Sequence, residues 1–350
     1  MSDEEDIAAL TELTGASDAA PRRFSAAELI ACDACARANP PTRMNCIYCG
    51  APLPSTAESE ALRRPSLRKL EEWEQGFNVV LLPARDVWRV SEDAFKEAST
   101  LLRLEAARLE ACIDARRPLP LARASTREEA ELITRRLGAL GLAVEIVSDE
   151  ELCASRMPKR IRALVLDGEA LVGWSGPDDK PCSVAWDEVR LLVAGRIYRK
   201  RVEVEERQRK LKGRSEIIEE REMMFDEAVL ELFASSDAEG AGWRIMAENF
   251  DYSCLGERKG LLARDNFDTL VEMLRARSAG AEFDDEYVRV RQVLGAVWPV
   301  AERTESLGLR RSRPGRLSTE VATIGSNEMQ FTRYARLRNY LARREHTNLK

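Results

Sequence analysis

Four of the eight cysteines stand in the order Cys32-x2-Cys35-x10-Cys46-x2-Cys49. A CxxC turn aims two thiolates at one point, and two such turns complete a tetrahedron. Four sulfurs with no open position describe structural rather than catalytic zinc. Soft thiolates also suit iron–sulfur chemistry. The symmetry of the two pairs and their polar flanks favour a single Zn2+. A segment of about 25 residues cannot fold on apolar burial alone, so the ion would supply its folding energy.

Little else in the chain points to catalysis. Its one histidine, His346, leaves no Ser-His-Asp triad and no His-rich metal site to assemble. Cys112, Cys153, Cys182 and Cys254 have no histidine near them in sequence and read as buried, inert thiols. Gly256-Glu-Arg-Lys-Gly260 lacks the phosphate-loop spacing, and no GxGxxG fingerprint occurs. No catalytic residue is expected.

Two basic features are candidates for binding. Arg207, Arg209, Lys210, Lys212 and Arg214 crowd an eight-residue run bordered by Glu203, Glu205, Glu206, Glu216, Glu219 and Glu220. This run reads as a solvated hairpin arm, or as a patch for anionic lipid or nucleic acid. Near the C-terminus, Arg333, Arg336, Arg338, Arg343 and Arg344 alternate with Phe331, Tyr334, Leu337 and Tyr340. Such a helix can pack on the body or grip phosphate.

The 350 residues carry 54 basic and 60 acidic side chains, a net charge of −6. Six acids and no base fall within residues 1–20, against eleven bases and five acids in 300–350. An acidic head and a basic tail could bind each other or an acidic partner. No uncharged apolar run approaches the ~18–20 residues of a membrane span, and the acidic start is unlike a secretory leader. A cytoplasmic protein with reduced thiols is expected.

The elements that must position these residues follow from periodicity. Residues 1–26 read as acidic and disordered, 27–54 as a zinc finger or ribbon, and 55–76 as a linker with a short helix over Ser66–Gln75. Residues 77–152 alternate β-α-β-α-β, with strands at 77–82, 119–124 and 142–147. One long helix runs from Ser91 to about Arg117, and a second follows a capping box at 125–129. Right-handed crossovers would make these strands parallel. Residues 158–278 read as antiparallel strands, with a hairpin at Asp167-Gly168 and a closing helix over Asn266–Arg277. Trp174, Trp186, Trp243 and Trp298 are expected in core positions. Residues 279–350 form a helical basic region. Its helices cover 283–300 and 327–344, with an irregular basic stretch at 305–320 between them.

Three resemblances extend this. Cys32-x2-Cys35-x3-Asn39-x6-Cys46-x2-Cys49 resembles the zinc finger first named from a Ran-binding nucleoporin. That resemblance implies zinc on the four cysteines, Asn39 as their support, and binding to single-stranded RNA or ubiquitin. Ile30 stands where that family has a Trp, and only Tyr48, Arg37 and Arg43 offer planar groups. Residues 160–278, with Trp186-Asp-Glu-Val189 and a helix beginning Asn266-Phe267, look like a pleckstrin-homology-like module, which implies lipid, peptide or protein binding. The whole chain resembles a family of uncharacterised bacterial zinc-ribbon proteins, which implies no activity. The expectation is a multidomain α+β chain acting as a non-catalytic zinc-binding adapter with a protein partner. Nucleic-acid binding and membrane-lipid binding are the alternatives.

Overall fold

The computed structural model describes residues 24–71, 73–83, 91–166, 168–208, 215–237, 240–313 and 316–348. By its internal contacts the chain divides between Pro65 and Ser66 into two units.

In the first unit, β1 (Ile30–Ala31) pairs antiparallel with β2 (Ala38–Asn39), with Ile30 opposite Asn39. Cys32, Cys46 and Leu53 form its small core, with Ile30, Cys35 and Ala51 against them. Helix α1 (Ala57–Leu62) is capped by Thr56, whose hydroxyl accepts from the Ser59 N–H at 3.2 Å. The Arg63 guanidinium folds back onto the carbonyls of Leu53 and Pro54 and the Ser55 hydroxyl.

The short helix thus lies at 57–62, and the described part of the 66–75 segment, where it was expected, holds none. Two features prevent one there. Leu67 has a left-handed φ of 44°, and the Ser66 hydroxyl and Leu67 N–H both donate to Glu129 Oε1.

The second unit begins with strand β3 (Phe77–Leu81), helices α2 (Glu92–Leu102) and α3 (Ala106–Asp114), and strand β4 (Leu119–Ala124). Helix α4 (Arg127–Ala139) and strand β5 (Val144–Ser148) follow. The element types match expectation, but the parallel sheet does not. β3 lies between β4 and β5 and runs antiparallel to both.

The cause is a break in the expected 91–117 helix. Arg103 adopts φ 53°, and the Leu104 N–H closes back on Ser99 O at 3.0 Å, a Schellman-type stop. Two helical legs return the chain to the end of the sheet at which β3 finished, with Leu119 opposite Leu81, so β4 descends where one leg would have made it ascend. The single helix α4 then places β5 parallel to β4 on the far side of β3. Both legs bury one continuous face, Leu101, Leu102, Leu109 and Cys112. The apolar spacing therefore runs through the break unaltered.

Strands β6 (Lys159–Ile161), β7 (Ala163–Val165), β8 (Ala170–Trp174) and β9 (Cys182–Ala185) come next. The expected hairpin is present as β7–β8, and β9 extends it. Trp186 falls on a 3-10 turn, Trp186–Glu188, rather than within a strand. Strands β10 (Val189–Gln208) and β11 (Ser215–Ala234) form a long hairpin, flanked by β12 (Trp243–Met246). Helix α5 (Ala263–Arg277), strand β13 (Glu282–Asp284) and helix α6 (Tyr287–Leu294) follow. The chain continues with strands β14 (Ala301–Arg313) and β15 (Arg316–Ser326) and helix α7 (Glu328–Asn348).

The main sheet runs β14-β15-β10-β11-β12-β6, with β13 also on β10. The stretch 305–320, expected to be irregular, is thus largely a strand pair that extends the sheet through β15 on β10. Ladder hydrogen bonds belong to the backbone, so a run of basic residues can form them as well as any other.

Two cores hold this unit. In one, Phe267, Leu270 and Leu274 of α5 meet Ile161, Leu164, Leu171, Leu192, Leu230 and Ile245. In the other, Val80, Leu119 and Val147 of the first sheet join Val193, Ile197, Val229 and Phe233 with Tyr287, Trp298, Phe331, Tyr334 and Leu337. Gly195 allows that packing, because a Cβ there would lie 2.5 Å from the Phe331 ring. Trp298 is fully buried, whereas Trp174, Trp186 and Trp243 are half-buried.

The basic tail helix, α7, is therefore a core element. Phe331, Tyr334 and Leu337 are fully buried, and Arg333, Arg336 and Arg338 are buried with them. Arg338 pairs with Glu282 and Asp284 rather than with solvent phosphate.

Candidate metal centre

The two CxxC turns have the same backbone. In the first, the Cys32 N–H donates to Arg37 O at 3.0 Å and the Ala36 N–H to Cys32 O at 2.7 Å. In the second, the Cys46 N–H donates to Ala51 O at 2.8 Å and the Gly50 N–H to Cys46 O at 3.0 Å. The residue after each second cysteine is left-handed, Ala36 at φ 57° and Gly50 at φ 76°. Each turn is thus a tight knuckle that directs both sulfurs inward. Glycine suits this conformation at Gly50, and Ala36 adopts it against its intrinsic preference.

All four Sγ atoms lie within 4.8 Å of one another. Cys32 and Cys49 approach to 3.6 Å, as do Cys35 and Cys46. A tetrahedral ion with Zn–S bonds of about 2.3 Å needs sulfurs roughly 3.8 Å apart. The contacts thus cross from one turn to the other, as a shared ion requires. The four cysteines are positioned to bind a metal ion, and the set is compatible with zinc.

Asn39 holds the two turns together from within. Its Oδ1 accepts from the Ile47 N–H at 2.9 Å, and its Nδ2 donates to Arg37 O at 2.8 Å and to Cys46 Sγ at 3.4 Å. The Tyr48 N–H adds a bond to the same sulfur at 3.4 Å. Burial opposes ionisation of Cys46, but these donors and the Cys49 N–H bring its thiol down to about 6. Donors to sulfur favour the thiolate that a metal requires.

The outer surface of the second turn was not foreseen in the sequence. Ile47 and Tyr48 stand side by side, each 53% exposed, although the turn beneath them is fixed. The Arg37 guanidinium lies over the Tyr48 ring at 4.8 Å. The readable signal was the pair of large apolar residues inside Cys46-Ile-Tyr-Cys49, where the first turn has Asp33-Ala34.

The other candidates behave differently. Burial pushes the Cys112 thiol up to about 12 and, chiefly, the Cys254 thiol up to about 11, so neither is activated. Cys182 donates to Gly173 O at 3.2 Å. Residues 209–214 lie outside the described residues. This removes Arg209, Lys210, Lys212 and Arg214 from view, and the side chains of Arg207 and His346 with them. Among the described residues, no helix is long and apolar enough to cross a membrane. Comparisons with protein families, with curated proteins and with solved structures found no match.

Proposed function

We propose that Cys32, Cys35, Cys46 and Cys49 hold one structural Zn2+. On this proposal the chain is a non-catalytic cytoplasmic interaction protein whose zinc knuckle is the contact surface for a protein partner. The observation that carries it is the exposed Ile47–Tyr48 pair on a turn fixed by Asn39 and Cys46. An exposed apolar pair on a rigid loop loses little conformational freedom on binding. Exposed aromatic residues beside an arginine are the groups that dominate protein interfaces.

Charge favours protein over nucleic acid. Residues 27–54 hold two acids, Glu28 and Asp33, and two bases, Arg37 and Arg43. Four thiolates outweigh the charge of one Zn2+, so the loaded knuckle is net negative. Phosphate-driven binding needs the opposite sign. One face of Tyr48, the aromatic ring a base could stack on, is already covered by Arg37.

The test compares the tagged full chain with an Ile47→Asp variant in pull-downs, with zinc content measured on both. Capture of a partner by the wild type that changes little between about 50 and 200 mM salt, and is lost in the zinc-loaded variant, supports the proposal. Capture that is nuclease-sensitive and falls steeply with salt favours the nucleic-acid alternative. Capture unaffected by Ile47→Asp places the contact elsewhere.

A further inference from the structure

The outer part of the main sheet extends past the cores that hold the rest of the unit. Beyond Ile197 on β10 and before Ala228 on β11, no described residue joins a hydrophobic core, and none of β14 or β15 does. This part of the sheet is held by its ladders. Met224 and Phe225, neighbours on β11 and so on opposite faces, are 66% and 55% exposed.

Neither face suits another sheet stacked upon it. Val202 shares its face with Lys200 and Glu222, and Ile324 shares the other with Arg201 and Met223. The edges offer more. β12 covers β11 only over Val229–Leu232, and β14 has β15 on one side. Among the described residues no strand lies along the remainder of either edge. Such an edge presents a row of N–H and C=O groups with which another strand can pair.

The ladders determine what would fit. β10 runs antiparallel to β11 and to β15, and β15 runs antiparallel to β14. The two outer strands thus run in opposite directions. A second copy laid alongside in the same orientation would continue an antiparallel sheet. The levels agree as well. Arg199 faces Phe225 and Ser326, and Ser326 faces Ala301. Arg201 faces Met223 and Ile324, and Ile324 faces Arg303. An unshifted copy would therefore set its Ala301 beside Phe225 and its Arg303 beside Met223.

Charge selects between the edges. Residues 215–227 hold six acids and one base, whereas residues 301–313 hold four bases and two acids. Glu222 and Asp226 already have Lys200 and Arg196 on β10, and Arg303 has Glu305. The ladder rather than these ions thus supplies the contact. Two β11 edges would still set acid against acid, while β14 brings base to acid.

We propose that this chain associates with itself laterally, β14 of one copy pairing antiparallel with the β11 edge of the next. Because two different edges meet, each addition leaves one of each kind uncovered, and the assembly grows without closing.

The test is sedimentation velocity of the full chain over a range of concentrations. The average mass should rise past that of two copies without a plateau. Met223→Lys sets a cation beside the incoming Arg303 and touches no core, and it should weaken association about fivefold. As a second measurement, chains carrying Phe225→Cys are mixed with chains carrying Ala301→Cys under mild oxidation. A disulfide joining the two introduced thiols across chains is expected, because facing strand residues lie within its reach. A single-copy mass at every concentration, a plateau at two copies, association unchanged in Met223→Lys, or absence of that disulfide would each overturn the proposal.

Discussion

The indole N–H of Trp298 donates to Asn78 Oδ1 at 2.9 Å, with both side chains fully buried. Asn78 in turn donates to Val147 O at 3.1 Å and to Asp149 Oδ1 at 2.9 Å. Asp149 Oδ2 receives the Gly76 N–H and the Arg123 guanidinium. One polar chain therefore links the turn after α6 to the start of β3 and the end of β5.

Trp298→Phe keeps most of the apolar volume but leaves Asn78 Oδ1 without a donor. A buried acceptor left unsatisfied costs about 1–3 kcal/mol. Urea unfolding should show that loss with an unchanged slope. A loss below about 0.5 kcal/mol, the size of an ordinary surface change, would mean that the network relaxes around the gap.

Asp284 should be less tolerant still. It is fully buried, and it meets Arg117 Nη1 at 3.1 Å, Arg338 Nε at 2.8 Å and the Tyr334 hydroxyl at 2.7 Å. Asp284→Ala removes the buried one of two counter-charges and leaves Arg338 with only the more exposed Glu282. Breaking such a pair costs about 3–5 kcal/mol, readable as a fall in the urea midpoint. Asp284→Asn, which can still hydrogen-bond, should lie between wild type and alanine.

Metal removal should separate the two units. All six tryptophans lie beyond residue 65. A chelator should therefore open residues 27–54 to protease while tryptophan fluorescence stays constant. Loss of the tryptophan signal on chelation would contradict this. Asn39→Ala deletes the bonds to Ile47, Arg37 and Cys46 but no sulfur. Outer-shell losses of this kind lower metal affinity about 10- to 100-fold, measurable against a competing chromophoric chelator.

Glu74 sets a pH-dependent contact. Arg68 grips it through two nitrogens, at 2.6 and 2.8 Å, and the Glu71 N–H adds a third bond. These hold its carboxyl at about 2, against about 4.3 for an unfolded glutamate. Because the folded value is the lower one, the contact stabilises the native state above about pH 4.3. The contribution drains away as pH falls towards and through 2. The pair is exposed, so the energy is small, but the titration is direct. An NMR titration of Glu74 should give a midpoint near 2, rising towards the ordinary value in Arg68→Gln.

The metal centre was legible because its information is local. Two CxxC turns and Asn39 fix the site within eighteen residues, and the fold adds only their geometry. The strand directions around β3 were not legible, because they hinge on one left-handed residue, Arg103, inside an unbroken apolar period. The β14–β15 pair was hidden by its arginines, since charge suggests a loop while the backbone ladder is indifferent to it. The role of α7 was half visible. Phe331, Tyr334 and Leu337 announced a packed face, but nothing local revealed that Arg336 and Arg338 would be buried beside them.

Helix α7 also bears on the order of assembly. Val80, Val193, Tyr287 and Trp298 share a core with Phe331 and Tyr334, so the first sheet meets its full packing only after α7 has been made. Contacts so distant in sequence form slowly. On a ribosome, β3 and β10 would emerge well ahead of their cover. Their apolar faces would stay open to chaperones and to other nascent chains in the interval. The arginines threaded through α7 keep that late segment water-compatible until the waiting surface receives it.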